Sequence, residues 1–453
     1  MKINQLTANK NLTLKKVMKK IDENGLGTCF IVDSNNKFVG LVTDGDIRRA
    51  LLKGADINEK IWKIMNKNPI VLYSNEVSSI SLARYEKKLP KYGSLKIPIL
   101  NKEKRICDVL IVDHLGNMSF LKKHEKHIRP NIKSVLVIGG AGYLGSILVR
   151  KLLSLGFKVK VLDNLMYGDF GIRDLKENSN FILIKGDVRN VSDVMDAIKD
   201  CDAVIHLAAI VGDPASAEDP QRTIEINYFA AKMVAEVCKY NQINRFIFAS
   251  TCSVYGASSG KKELTEDSEL NPVSLYAKTK ISSERAILQM ADENFSPTIL
   301  RMGTLYGASP RMRFDLVVNL LTAKAYFENE ITIFGGKQWR PFLHVEDAAD
   351  AYIACLRTPI EKIRGKVFNL GGTNHRIEEL QTLLKKFFPK LKVVVKDTSK
   401  DLRDYRVSSI KMAQTLGIQP KKSLQDGIKE ILNWLKKNKI KDYKLERFWN
   451  KSP

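Results

Sequence analysis

The hydrophobic pattern divides the chain into two stretches with different rhythms. Over residues 1–120, short apolar runs alternate with helical periodicity. Leu14–Ile21 has helical spacing, while Cys29–Asp33 and Phe38–Val42 predict two strands joined by a turn at Ser34–Lys37. Asp44–Leu51 predicts a helix with acidic residues in its first turn, where the helix dipole favours them. The order recurs as Ile97–Leu100, a turn at Asn101–Lys104 and Asp108–Val112, which reads as a tandem repeat. Residues 121–133 are polar and basic, contain Pro130 and predict a linker; His124 and His127 within it read as solvated.

From Ser134 onward, near-continuous apolar strands alternate with helices. The strands are Val135–Ile138, Val159–Leu162, Phe181–Ile184, Ala203–His206, Phe246–Ala249 and Thr298–Leu300. The helices include Ser192–Ile198 with Ser192 as N-cap, Ile224–Tyr240 and Leu275–Met290. Strands without polar alternation are buried on both faces, so the expected fold is α/β: a doubly wound parallel sheet covered by helices. Past Phe314 short strands and helices mix, predicting a smaller lobe, followed by a helix over Leu424–Lys437 and a basic tail at 441–453.

Composition narrows the classes. The chain has 453 residues, enough for two or three domains, and 44% of them are hydrophobic. No apolar run reaches the roughly 20 residues of a membrane span, and the start lacks a signal-peptide core, so a cytoplasmic protein is expected. The six cysteines show no paired spacing, which argues for reduced thiols and against a metal site. The net charge of +24 comes mostly from lysines spread along the chain, without the aromatic-basic interleaving of a nucleic-acid binder.

Candidate chemistry starts at the stretch from Ser134 to Gly145, a strand, a glycine-rich turn and a helix start. Gly139 permits the turn, Gly142 lets backbone approach a diphosphate, and Gly145 lets the helix pack close, with Tyr143 and Leu144 opening the helix. Diphosphate at that helix N-terminus meets free N–H groups. The next strand ends at Asp163-Asn164; a carboxylate there accepts ribose hydroxyls and repels a 2′-phosphate, favouring NAD over NADP. Tyr276 and Lys280 lie four apart on one helix face, where an ammonium favours the phenolate. Thr251, after a buried strand, supplies a hydroxyl to share the substrate's hydrogen bond.

With these pieces in order, residues 134–440 resemble the extended short-chain dehydrogenase/reductase family, and within it the NAD-dependent nucleotide-sugar epimerases and dehydratases. Further supports are Gly186-Asp187-Val188, His206–Ala209, Asn227, Arg301, Tyr306-Gly307 and Arg340–Asp347. The resemblance implies Thr251, Tyr276 and Lys280 as catalytic residues. It implies cofactor contacts from Asp187 and Val188 at the adenine, from Ala208 and Ala209 at ribose and phosphates, and from Asn164, Asn227 and Lys280. The substrate would be a nucleotide-diphosphate sugar, with Arg340 and Arg403 at its phosphates and Thr304 near the sugar. Arg403 has a second reading as a surface ion pair with Asp401 or Asp404. A homodimer or higher homo-oligomer is expected.

Residues 1–120 are similar to a pair of CBS domains. Thr43 and Asp46, in Gly40-Leu-Val-Thr-Asp-Gly-Asp46, match positions that hold the ribose of an adenine nucleotide. The second copy departs, with Asp108, Ile111 and His114 at the matching places. Nucleotide sensing and plain dimerisation both stay open.

Departures from the family pattern select among reactions. The 4,6-dehydratases carry Asp-Glu after the catalytic Thr, where this chain has Cys252 and Ser253; the 3,5-epimerases carry Cys at the place of Ser253. Thr304 replaces the Asn usual in 4-epimerases, and Ile138 replaces a Thr. The resulting expectation is a 4-epimerase passing through a 4-keto sugar. Dehydratase, 4-ketoreductase and a non-catalytic nucleotide sensor are the alternatives.

Overall fold

The computed structural model describes residues 3–74, 94–113, 118–120, 132–258, 262–396 and 403–450. The chain forms two compact units, Met1–His127 and Ile128–Pro453. His114, His124, His127, Asp401 and most of the linker expected at 121–133 lie outside the described residues.

In the first unit the repeat is visible as two antiparallel hairpins. Thr28–Val32 pairs with Phe38–Thr43, and Ser94–Leu100 pairs with Ile106–Asp113; each hairpin has a register shift beside its turn. The helices Leu14–Asn24 and Asp44–Leu52 bury Leu14, Val17, Ile21 and Ile47 against Cys29, Ile31 and Val42. The first helix runs past the predicted Ile21 because it ends at Gly25, whose φ of 65° supplies a left-handed cap.

The second unit is built on a seven-stranded parallel sheet. In chain order its elements are β1 (Ser134–Ile138), α1 (Tyr143–Ser154), β2 (Lys158–Asp163), β3 (Phe181–Lys185), α2 (Val191–Ile198), β4 (Ala203–His206), α3 (Ala231–Tyr240), β5 (Arg245–Thr251), α4 (Leu275–Gln289), β6 (Ser296–Met302) and β7 (Lys366–Leu370). The strand order is β3-β2-β1-β4-β5-β6-β7, every neighbour parallel. Chain direction across the sheet reverses between β1 and β4, so a crevice opens at the carboxyl ends of those strands. All residues of β1, β4 and β5 are buried, as their uninterrupted apolar runs require. Two clusters cover the faces, one around Leu148, Val161 and Tyr352, the other around Leu136, Val234 and Phe248.

Three details depart from the sequence expectation. The N-cap of α2 is Asn190, whose Oδ1 accepts the Ser192 N–H at 2.9 Å, so Ser192 lies inside the helix. The helix expected over 224–240 opens with a π-turn at Glu225–Ala230, which carries Asn227. Residues 441–450, read as a basic tail, dock on the core: Tyr443 and Phe448 are buried with Trp434 around the Phe314 ring, and the Phe314 N–H donates to the Phe448 carbonyl at 2.9 Å. Aromatic side chains spaced among lysines carry enough apolar area to fix this segment.

The smaller lobe has the core Tyr306, Leu321, Ile331, Leu380 and Ile428. Thr304–Tyr306 pairs with Trp339–His344 there, which adjoins Thr373–Arg376.

Candidate active site

The glycine turn obeys tight geometry. Gly139 has φ 82°, and a Cβ there would stand 2.6 Å from the Ala208 nitrogen. A Cβ on Gly145 would meet the Gly139 carbonyl oxygen at 2.5 Å. Both neighbours are backbone, which has no rotamer with which to move aside. Gly142, the N-cap of α1, meets only one contact, at 3.4 Å, and faces a cleft.

That cleft holds about 1110 Å³ of open volume. Twelve of the residues expected from the sequence line it: Gly139, Gly142, Tyr143, Leu144, Gly145, Asp163, Asn164, Val188, Ala208, Ala209, Tyr276 and Lys280. Asp163 ends β2 with Oδ2 accepting the Ala141 N–H at 3.0 Å and Oδ1 the Leu165 N–H at 2.9 Å. Burial raises its pKa, opposed by these two backbone donors and by Arg311.

Other expected residues act around the cleft. Asn227 pins the loop after β4, donating to the Ile210 carbonyl at 2.9 Å while its Oδ1 accepts the Ile210 N–H at 2.8 Å. The π-turn aims its side chain at that loop. Asp187 is paired with Arg189 at 2.8 Å, which holds its carboxyl below the usual range.

Tyr276 sits on α4, whose N-cap Ser274 accepts the Ala277 N–H. Thr251, at the end of β5, stands near enough to the Tyr276 hydroxyl to favour the phenolate. Lys280 is 2% exposed and donates to the Ala249 carbonyl at 2.8 Å; its ammonium stands 4.6 Å from the Phe248 ring and 6.0 Å from that of Tyr276. Burial brings Lys280 down to about 7. Burial also pushes the Tyr276 phenol above its ordinary value, against Arg313 and Thr251, which pull it down. The simple expectation that Lys280 lowers the phenol is therefore overridden by desolvation among the protein groups alone.

Arg340 and Arg403 form a separate group, while Thr304 stands opposite Phe342 in the strand pair of the smaller lobe and does not line the cleft. Arg340 is buried, donates to the carbonyls of Trp339 and Arg403, and stacks 5.5 Å from the Tyr405 ring. Tyr405 lies 3.4 Å from the Ser253 hydroxyl, which ties this group to the segment after Thr251. Arg403 pairs with Asp213 at 3.1 Å, not with Asp404, whose Oδ1 instead accepts the Trp339 N–H. Cys252 is fully buried, its thiol on the Arg301 carbonyl at 3.1 Å, and burial raises its pKa, which disfavours a thiolate.

Tyr167, Arg311, Arg313 and Asn450 also line the cleft, and sequence reasoning missed them. The only signal was the Arg311-Met-Arg313-Phe-Asp315 run, where charged and apolar residues alternate. Which of its side chains turn inward depends on how segment 307–315 docks on α1.

Below the floor, His206 is fully buried between Phe246 and Phe248, with neither ring nitrogen hydrogen-bonded. Burial, with Lys280 nearby, pulls its pKa to about 3. Below about pH 6.5 the unfolded chain takes up a proton here that the folded protein refuses. Stability is thus lost as pH falls from about 6.5 toward 3, on the order of 1.4 kcal/mol per pH unit from this group. His206→Phe should flatten urea-unfolding stability between pH 6.5 and 5; an unchanged slope would refute the assignment.

In the smaller unit, Thr43 and Asp46 form a capping box. The Thr43 hydroxyl accepts the Asp46 N–H and donates to Asp46 Oδ2 at 2.7 Å, while Oδ1 pairs with Arg49 at 2.7 Å.

A model of the NAD dependent epimerase/dehydratase family matches residues 135–371, about half the chain. The chain belongs to that family. A CBS-domain model matches residues 1–53. The chain is 29% identical to a putative UDP-glucose 4-epimerase of Methanocaldococcus jannaschii, over 67% of its own length and 99% of the relative. It is 32% identical to the UDP-glucose 4-epimerase of Lactobacillus helveticus, over 55% of itself and 79% of that enzyme. The structure of a UDP-glucuronic acid 4-epimerase from Bacillus cereus, in complex with UDP-glucuronic acid and NAD, aligns with a TM-score of 0.60 at 30% identity, covering 67% of this chain and 99% of that one. The family's cofactor is NAD, and the fold and cleft here accord with it. Among the described residues no helix is long and apolar enough to cross a membrane.

Proposed function

We propose that the chain is a nucleotide-sugar 4-epimerase whose substrate is a UDP-hexose or its uronic acid. The observation that carries the reading is the Thr251–Tyr276–Lys280 set beside the glycine turn, with Cys252 and Ser253 in place of dehydratase carboxylates. The glycine turn and the N-terminus of α1 would hold the NAD diphosphate, and Asp163 the adenosine ribose. NAD supplies a positively charged ring that accepts a hydride from the sugar and returns it. Tyr276, as phenolate, removes the proton from the C4 hydroxyl and later restores it. Thr251 orients that hydroxyl. Lys280, held on the Ala249 carbonyl 6.0 Å from the Tyr276 ring, would place positive charge near the phenol when protonated and would hold the nicotinamide ribose. Arg340 and Arg403 would meet the substrate diphosphate, Arg403 exchanging Asp213 for phosphate.

Incubation with UDP-glucose and UDP-glucuronic acid tests this directly. The expected product has the substrate's mass, inverted at C4, and no reduced cofactor accumulates. Loss of a water mass would instead establish a dehydratase, and stoichiometric reduced cofactor a dehydrogenase.

The CBS region is proposed to sense an adenine nucleotide through Thr43 and Asp46. Both groups already satisfy each other in the capping box, so binding requires the hydroxyl and carboxylate to share a ribose with the helix terminus. AMP or ATP should raise the melting temperature of the full chain, and Asp46→Ala should abolish the shift. If neither nucleotide moves the transition, the region serves assembly alone.

A further inference from the structure

The cleft wall near the glycine turn holds a buried cation with no role in the proposed chemistry. Arg311 is 3% exposed and lines the cleft with Gly142, Asp163, Tyr167 and Asn450. Its guanidinium lies 4.5 Å from the Tyr167 ring, and Nη2 donates to the Trp449 carbonyl at 3.3 Å. The buried Nε has no hydrogen-bond partner. Asp163 is within electrostatic reach, but its two oxygens are occupied by the Ala141 and Leu165 backbone donors. A desolvated guanidinium with one neutral carbonyl partner is costly unless an anion completes its surroundings.

The chain fixes this side chain relative to the start of α1. Ser309 Oγ donates to the Tyr143 carbonyl at 2.8 Å and stands 2.9 Å from Ser146 Oγ. The Tyr143 hydroxyl donates to the Gly307 carbonyl at 2.7 Å, and Asn319 holds the Arg313 carbonyl at 2.9 Å. Gly171 closes the packing, since a Cβ there would stand 2.9 Å from both the Ala141 oxygen and Arg311 Cβ. Segment 307–315 is thereby stapled to the helix end that faces the cleft, and the docked C-terminal segment sets the direction of the guanidinium.

We propose that Arg311 is a cofactor-binding residue that contacts the NAD diphosphate from segment 307–315, with the Trp449 carbonyl orienting its fork. The inference rests on the cleft being the NAD site, and extends it to a residue of the 307–315 segment and to the C-terminal segment. A planar fork suits paired phosphate oxygens, and a position beside Asp163 and Tyr167 places it at the adenosine half of the cofactor.

The test uses the full chain stripped of cofactor, with binding of NAD, ADP-ribose and adenosine measured by calorimetry. Arg311→Met keeps the stem against Tyr167 and removes the charge. It should weaken NAD and ADP-ribose about 10- to 100-fold, while adenosine, which has no diphosphate, binds as before. At saturating NAD, KM for the nucleotide sugar should stay unchanged. Arg311→Lys, which keeps charge but not the fork, should lie between Met and the parent, and it decides the matter if the Met variant does not fold. NAD affinity within about twofold of the parent in Arg311→Lys and Arg311→Met alike would overturn the proposal, as would equal losses for adenosine or a raised KM for the sugar nucleotide with NAD binding intact. Failure of the parent itself to bind NAD would instead remove the underlying site assignment.

Discussion

Tyr276→Phe is expected to lower turnover by about 10²- to 10⁴-fold while NAD affinity changes by less than about twofold. The ring that packs at the cleft is kept, and only the hydroxyl is lost. That hydroxyl is the acid-base group nearest the proposed chemistry, close to Thr251 and fixed on a capped helix. Burial holds the phenol protonated more firmly than in water. In the proposed reaction, bound NAD would supply the positive charge that favours the phenolate. Thr251→Val should cost less, about 10-fold, because it removes an orienting partner and not the base. Steady-state rates with the UDP-sugar that the parent converts, with NAD binding measured in parallel, check both. A Phe variant retaining a tenth or more of parental turnover would exclude Tyr276 as the base.

The largest stability effect is expected at Arg301. Its guanidinium pairs with Glu284 at 2.7 Å, donates to the Tyr255 hydroxyl at 2.9 Å, and is 5% exposed. Glu284 also accepts the Ser250 hydroxyl, and the Tyr255 hydroxyl donates to Asn369 Oδ1 at 2.7 Å. The network joins β5, α4, β6 and β7, one residue before Thr251 and on the helix that carries Tyr276. Removing one charge strands the other: Arg301→Met should destabilise by about 3–5 kcal/mol. The double variant Glu284→Leu with Arg301→Met should recover much of that loss, because no unpaired charge remains. Urea unfolding of the two variants distinguishes a paired buried charge from simple lost packing, which the double variant would not restore. Because α4 carries Tyr276 and Lys280, turnover of Arg301→Met should also fall at temperatures where the protein is still folded.

Much of this arrangement was readable beforehand. The glycine turn, Asp163, and the Tyr276/Lys280 pair are local patterns whose spacing dictates their geometry: a turn, a strand end, one helix face. All of them line one cleft, because a parallel sheet brings the ends of β1, β2, β4 and β5 to the same edge. The first hairpin and its repeat were legible for a similar reason, since register follows turn and alternation. Asn190 displaced Ser192 as helix cap because capping depends on which side chain meets the first free N–H, and both were suitable residues. The π-turn at Glu225–Ala230 was invisible, since an inserted residue leaves the apolar spacing nearly unchanged.

Distant contacts were beyond reach of any local pattern. Arg403 met Asp213, a residue 190 positions earlier, while its sequence neighbour Asp404 accepts the Trp339 N–H instead. Arg311 faces the cleft only because Ser309 and Gly307 dock on Tyr143 and Ser146, and the C-terminal residues reach the same wall through Phe448. The sign of the Tyr276 shift also reversed between the two views. By itself the sequence determined which chemical groups exist and the local geometry of each motif, because turns, caps and helix faces are fixed by neighbours a few residues apart. Only the tertiary structure decided their solvation and their long-range partners, because burial and charge balance depend on every segment that packs around a group.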